Sequence, residues 1–216
     1  MTEDPDGLAD LLDLGVKSTP VVSRGNRFVH GLVLSEVADF VGVSLEASTL
    51  PPEQLFAKLN IILSKAQSSV RQIPQNKLES KIPDRDRTMK ELSNHIFKIS
   101  QAFLEAASES GLTETTLNAA PAESMKTADD IADAGKTVQQ DFQEWAERAG
   151  DVDFHKKVGT YYGEQILHEL LERTCWHSAQ HLRQLMKMLE SYQIKPSHPL
   201  TDSDLAGLPL PQEVWG

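Results

Sequence analysis

The stretch GEQILHELLERTCWHSAQHLRQLMKMLESY, Gly163 to Tyr192, carries the longest helical pattern in the chain. Residues four apart on a helix stand one above the other, so His177 and His181 present two imidazoles on one face. At about 100° per residue, Ile166, Leu170 and Met188 point close to the same direction, whereas Glu169, Arg183, Lys187 and Glu190 point well away. The pair therefore faces inward, toward the edge of an apolar arc. Cys175 falls about 160° from His177 on the same wheel, which makes it a core-packing residue. His168 is about half a turn out of phase and is not read as a partner of the pair.

Three further helical patterns precede this one. Pro51 and Pro52 suit the first turn of a helix in which Leu55, Phe56, Leu59, Ile62, Leu63, Ala66 and Val70 recur at short helical spacing, with Pro74 marking its end region. Thr88-Met89-Lys90-Glu91 is a capping box, in which threonine and glutamate satisfy each other's orphan backbone donors. It opens a helix through Leu92, Ile96, Ile99 and Phe103 to about Ala107. On that helix His95 shares its side with Leu92, Ile99, Ala102, Phe103 and Ala106, and Asn94, Lys98, Gln101 and Glu105 lie opposite. Gly111 to Ala122 reads as a loop of small residues. A weaker helix from about Thr127 to Ala149 carries Ile131, Val138, Phe142 and Trp145, with Gly135 interrupting it. Four helices joined by loops predict a four-helix bundle over residues 45–195.

The ends read differently. Residues 1–44 form an α-β-β-α pattern: Leu8, Leu11, Leu12 and Leu14 up to Gly15, Thr19-Pro20-Val21-Val22, a turn at Gly25-Asn26, Phe28 to Gly31, then Ser35 as cap for Val37, Ala38, Phe40 and Val41, stopped by Gly42. Such a short unit buries too little core to stand alone. Residues 196–216, with Pro196, Pro199, Pro209 and Pro211, cannot be helical throughout and are expected as an extended tail packed by Leu205, Leu208, Leu210 and Trp215.

Composition narrows the function. With 39% hydrophobic and 25% charged residues the chain has the balance of a globular protein, and no apolar stretch is long enough to span a bilayer. The acidic opening Thr2-Glu3-Asp4 lacks the features of a signal peptide, which points to the cytoplasm. A formal charge of −11 with no segregated basic stripe opposes nucleic-acid binding. The single cysteine excludes an intramolecular disulfide and any CxxC pair.

Three inward histidines need a common explanation, since a buried unpaired polar ring costs roughly 1 to 3 kcal/mol. One is separate hydrogen bonding of each ring in the core. The other is a shared metal: neutral imidazole suits zinc, nickel, iron or copper, and three such ligands leave a coordination position for water or substrate. His30, His155 and His198 have no evident partners and read as surface or turn residues.

The segments RTMKELSNHIF (Arg87 to Phe97) and TCWHSAQHLRQL (Thr174 to Leu185) resemble the DinB/YfiT-like family of metalloenzymes over residues 51–192. The resemblance implies a four-helix bundle with His95, His177 and His181 holding one divalent ion, zinc or nickel. Relatives in that family include S-transferases and an isomerase that use mycothiol, bacillithiol or glutathione, and others have no assigned activity. Residues 1–44 resemble the C-terminal half of a glutaredoxin-like thioredoxin fold, with Thr19-Pro20-Val21-Val22 at the strand that begins with a cis-proline, but without the CxxC. That fragment survives either as a thiol-binding surface or, the preferred reading, as packing.

The expectation is a mainly α protein with three parts: a glutaredoxin-like fragment over residues 1–44, a DinB-like bundle over 45–195 and a tail over 196–216. Its expected function is metal-dependent S-transfer between a low-molecular-weight thiol such as glutathione and an electrophile, in the cytoplasm, without nucleic acid or membrane as partner. The bundles of the family it resembles often form homodimers. A non-catalytic metal-stabilised scaffold and a metal-dependent hydrolase remain open, and no catalytic or thiol-binding residue beyond the three histidines is assigned.

Overall fold

The computed structural model describes residues 7, 11–16, 21–31, 34–43, 49–83, 86–108 and 111–215. Chain contacts divide it into two compact units, Met1–Ser48 and Thr49–Gly216. In the first, β1 (Val21–Arg24) and β2 (Arg27–His30) pair antiparallel, with Val21 opposite His30 and Arg24 opposite Arg27. Gly25 opens the two-residue turn at φ +60°, the left-handed backbone such hairpin turns demand. Helix α1 (Leu34–Val41) follows and stops at Gly42, φ +76°, where the Val43 amide closes back on the Ala38 carbonyl. Leu8, Thr19, Pro20 and the Ser35 side chain lie outside the described residues.

The second unit is a four-helix bundle of α2 (Pro52–Arg71), α3 (Met89–Ala107), α5 (Ala128–Glu147) and α6 (Leu167–Ser191), with α4 (Glu114–Leu117) and α7 (Asp202–Leu205) as single turns. Helices α2 and α3, consecutive in sequence, touch each other little and each packs chiefly against α5 and α6. They therefore occupy one diagonal of the bundle. The consequence for the site is that α3 and α6, remote in sequence, lie side by side.

Local chemistry starts α3 and α5 where the sequence predicts. Thr88 accepts from the Glu91 amide while the Glu91 carboxylate accepts from the Thr88 amide, and Thr127 and Asp130 repeat the arrangement for α5. The core is a continuous set of fully buried side chains, including Leu55, Leu59, Ile62, Leu63, Leu92, Ile96, Phe103, Phe142, Leu167 and Leu171. Phe56, Phe103, Phe142, Trp145 and Phe154 form an aromatic cluster, mostly edge to face with Phe142 and Trp145 stacked, and Phe103 and Trp145 lie 5.1 Å apart. No helix among the described residues is long and apolar enough to cross a membrane.

Four expectations are corrected. The last helix begins at Leu167 rather than Gly163, because β3 (Lys157–Thr160) and β4 (Gly163–Ile166) form a hairpin whose Gly163 takes φ +124°. A helical period cannot mark its own start, so Ile166, placed on the helical face from sequence, is instead the last strand residue. The loop over 111–122 contains α4, capped by the Thr113 hydroxyl, and the Leu112 amide is tied to the Gly159 carbonyl of the hairpin. Asn94 is buried rather than on a solvated face, since this loop covers it and its amide donates to the Ala119 carbonyl. The tail is not wholly extended: Thr201 and Asp204 form a capping box for α7, and Lys65 pins Asp204 at 2.6 Å.

Gly135 within α5 has a packing cause. A Cβ there would clash with the buried Phe97 ring. Alanine would gain about 1 kcal/mol of helix propensity but lose more to overpacking. Gly135→Ala is expected to lower stability by about 1 kcal/mol in urea unfolding, and to become stabilising in a Phe97→Leu background. A stabilising effect in the parent would contradict this account.

Candidate metal centre

His95 on α3 and His177 and His181 on α6 converge. Their ring centroids lie 4.7 Å apart for His177 and His181, 4.9 Å for His95 and His181, and 5.4 Å for His95 and His177. One ligand nitrogen from each falls within 4.8 Å of the others, so the cluster could hold a metal ion. His95 is buried, and the other two are partly covered.

The outer nitrogens fix the inner ones. His95 Nδ1 lies 3.0 Å from the Leu117 carbonyl oxygen, an atom that only accepts, so this nitrogen carries the proton and Nε2 is left with its lone pair. His181 Nδ1 lies 2.7 Å from Gln184 Oε1, with the same result. His181 Nε2 and His177 Nε2 face each other at 3.0 Å. Two such nitrogens share a proton in the absence of an ion, or both coordinate when one is present.

Electrostatics keep two of the donors, His95 and His177, neutral. Burial pushes the pKa of His95 down to about 3, with His181 and Arg87 adding to the shift. Burial also drives His177 well below the usual histidine range, reinforced by His181, His95, Arg173 and Arg87. Metal ligation needs neutral imidazole, which this corner supplies. Arg173 itself donates to the Tyr162 hydroxyl at 2.7 Å and lies over that ring at 4.9 Å, while its Nε is buried without a hydrogen-bond partner.

A family model for the DinB superfamily matches residues 46–185. The chain belongs to the DinB superfamily. No curated protein and no solved structure matched it. In this DinB chain a cleft of about 300 Å³ opens beside the cluster, lined by Asp86, Arg87, Glu91, His95, Asn118 and Ala119 among others. Glu91 is committed to the Thr88 cap, which through the Thr88 backbone amide holds its carboxyl below the usual range, and Asp86 pairs with Lys81.

The remaining candidates fall elsewhere. His168 bonds the Leu50 carbonyl at 2.8 Å and packs on Phe154. His155 and His198 are exposed, and His30 sits in the first unit against Phe28. Cys175 is fully buried, donates to the Leu55 carbonyl, and burial pushes its pKa up, so it is an inert core residue. Sequence reasoning missed the Leu117 carbonyl, for which no side-chain signal exists, and Gln184, whose spacing of three from His181 was legible.

Both depressed histidines bind protons less readily in the folded chain than in the unfolded one. Their contribution to stability is intact above about pH 6.5 and drains as the pH falls below it, for His95 down to about 3. The metal-free protein is expected to lose urea resistance between pH 7 and 5, above the range of ordinary carboxylates. A His95→Leu/His177→Leu variant should show a flatter profile, and an identical slope would count against buried neutral rings.

Proposed function

We propose that His95, His177 and His181 bind one divalent cation, zinc or nickel, and that the chain uses it to transfer a low-molecular-weight thiol such as glutathione to an electrophile. The observation that carries the metal reading is the fixed pair of outer protons: the Leu117 carbonyl and Gln184 hold two rings so that their Nε2 lone pairs converge with His177. Metal-binding imidazoles commonly give their outer N–H to a carbonyl or amide oxygen in this way, which fixes the ring and the tautomer.

Three ligands leave a position open, and the cleft beside His95 gives it an approach. When bound, a divalent cation supplies Lewis acidity, which lowers the pKa of a coordinated thiol and holds the nucleophilic thiolate at neutral pH. The chain's own part is to orient and to polarise. Arg87 and Arg173 lie near enough to depress two of the rings, and the same positive field favours an anionic ligand over a neutral one. Arg87 also lines the cleft, where a guanidinium suits a carboxylate on the incoming thiol.

Hydrolysis is the weaker reading, because it needs a general base near the attacking water. The two acids lining the cleft are already engaged, Glu91 by its cap and Asp86 by Lys81. A purely structural metal clip is disfavoured by the open cleft. The proposed setting is the cytoplasm, where low-molecular-weight thiols stay reduced.

Purified protein is expected to bind close to one zinc or nickel ion, and His177→Ala to weaken that affinity by at least about 10-fold. Equal metal content in both would remove the site. With metal present, glutathione conjugation to 1-chloro-2,4-dinitrobenzene should exceed that of the His177→Ala variant. Full metal binding with no dependence on thiol would overturn the transferase reading and leave the metal site standing.

A further inference from the structure

Gln184 lies three residues after His181 on α6 and is 6% exposed. Both ends of its amide are used. Nε2 donates to the Val214 carbonyl at 3.1 Å, and Oε1 sits 2.7 Å from His181 Nδ1. A backbone carbonyl can only accept, so the NH₂ end must face Val214 and the oxygen must face the histidine. An amide oxygen can only accept in turn, so Nδ1 must carry the ring proton. The tautomer of His181 thus follows from the position of a carbonyl in the C-terminal segment.

That carbonyl is held firmly. Gln180 Nε2 donates to the Glu213 and Val214 carbonyls at 3.2 and 2.8 Å. Arg183 reaches the Pro211 and Gln212 carbonyls at 2.8 and 2.9 Å and also bonds Gln180 Oε1 at 2.7 Å. Three side chains on one face of α6 therefore grip four successive carbonyls, and Trp215 packs against the core just beyond them. Were the segment displaced, the Gln184 amide would lose the contact that distinguishes its two ends. A flipped amide would offer His181 a donor in place of an acceptor and push the proton onto Nε2, where it blocks coordination.

We propose that Gln184 is a positioning residue for His181 and that the docked segment Pro211–Val214 sets its orientation. The effect on an ion rests on the metal reading above, whereas the effect on the tautomer does not. The helix thereby carries both the ligand and the means by which the chain's C-terminal segment tunes it.

The test uses full-length parent, Gln184→Leu, Gln184→Glu, Arg183→Met and His177→Ala proteins. Two measurements are made: zinc affinity by competition with a chromogenic chelator, and ring nitrogen–proton correlation spectra of the metal-free forms at pH 7.5. The parent should show one His181 tautomer, protonated at Nδ1. Gln184→Leu should show mixed tautomers and bind zinc about 10- to 100-fold more weakly. Gln184→Glu should stay within about 3-fold of the parent, since a carboxylate accepts the same proton. Arg183→Met, which loosens the segment, should shift in the direction of Gln184→Leu by a smaller factor.

Parental tautomer and affinity in Gln184→Leu, with zinc lost in His177→Ala, would overturn the positioning role and leave the metal site intact. A parent that takes no zinc would overturn the metal reading, and the tautomer spectra would then decide the role of Gln184 alone. If Gln184→Leu fails to fold, parental spectra for Arg183→Met overturn the part played by the segment, and a changed His181 tautomer there upholds it.

Discussion

The direction of two ring protons decides what the three-histidine cluster can hold. His95 and His181 each give their Nδ1 proton to an acceptor that cannot offer one back, the Leu117 carbonyl and the Gln184 amide oxygen. Reverse either bond and the lone pair leaves the centre of the cluster, so a cation would meet an N–H instead. Burial works in the same direction by keeping His95 and His177 uncharged near neutral pH.

Much of the fold can be read as what is needed to hold those acceptors. The diagonal placement of α2 and α3 brings α3 against α6, and with it His95 against the histidine pair. From Gly111 onward the connection from α3 to α5 is tied down: α4 turns within it, and the Leu112 amide donates to the Gly159 carbonyl of the β3–β4 hairpin. That anchorage is what presents the Leu117 carbonyl to His95. On the other side, Lys65 with Asp204 and the grip of Gln180 and Arg183 secure the C-terminal segment that faces Gln184.

The four long helices were legible from their apolar spacing, which at α3 and α5 agrees with a threonine cap, Thr88 and Thr127, and at α2 with the prolines of its first turn. His95, His177 and His181 were legible because a four-residue spacing and an apolar arc give direction as well as position. The hairpin before α6 was not, since the apolar rhythm of Leu167 onward extrapolates smoothly back through Ile166 and hides the strand pairing that ends there. Nor was burial of Asn94 visible, because a wheel describes one helix and not the loop that covers its far side. Gly135, read as a weakness, is the space that Phe97 occupies. The Leu117 carbonyl is a backbone atom and leaves no trace in residue type.

In this chain of the DinB superfamily His95, His177 and His181 converge at one corner of the bundle, two of them held neutral by burial. The decisive measurement is an anomalous difference map from zinc-reconstituted crystals recorded at the metal's absorption edge. One peak lying about 2.1 Å from Nε2 of His95, His177 and His181, with a further position open toward the cleft, is the expected result. A peak held by other residues, or one that leaves any of the three rings uncoordinated, would contradict the account.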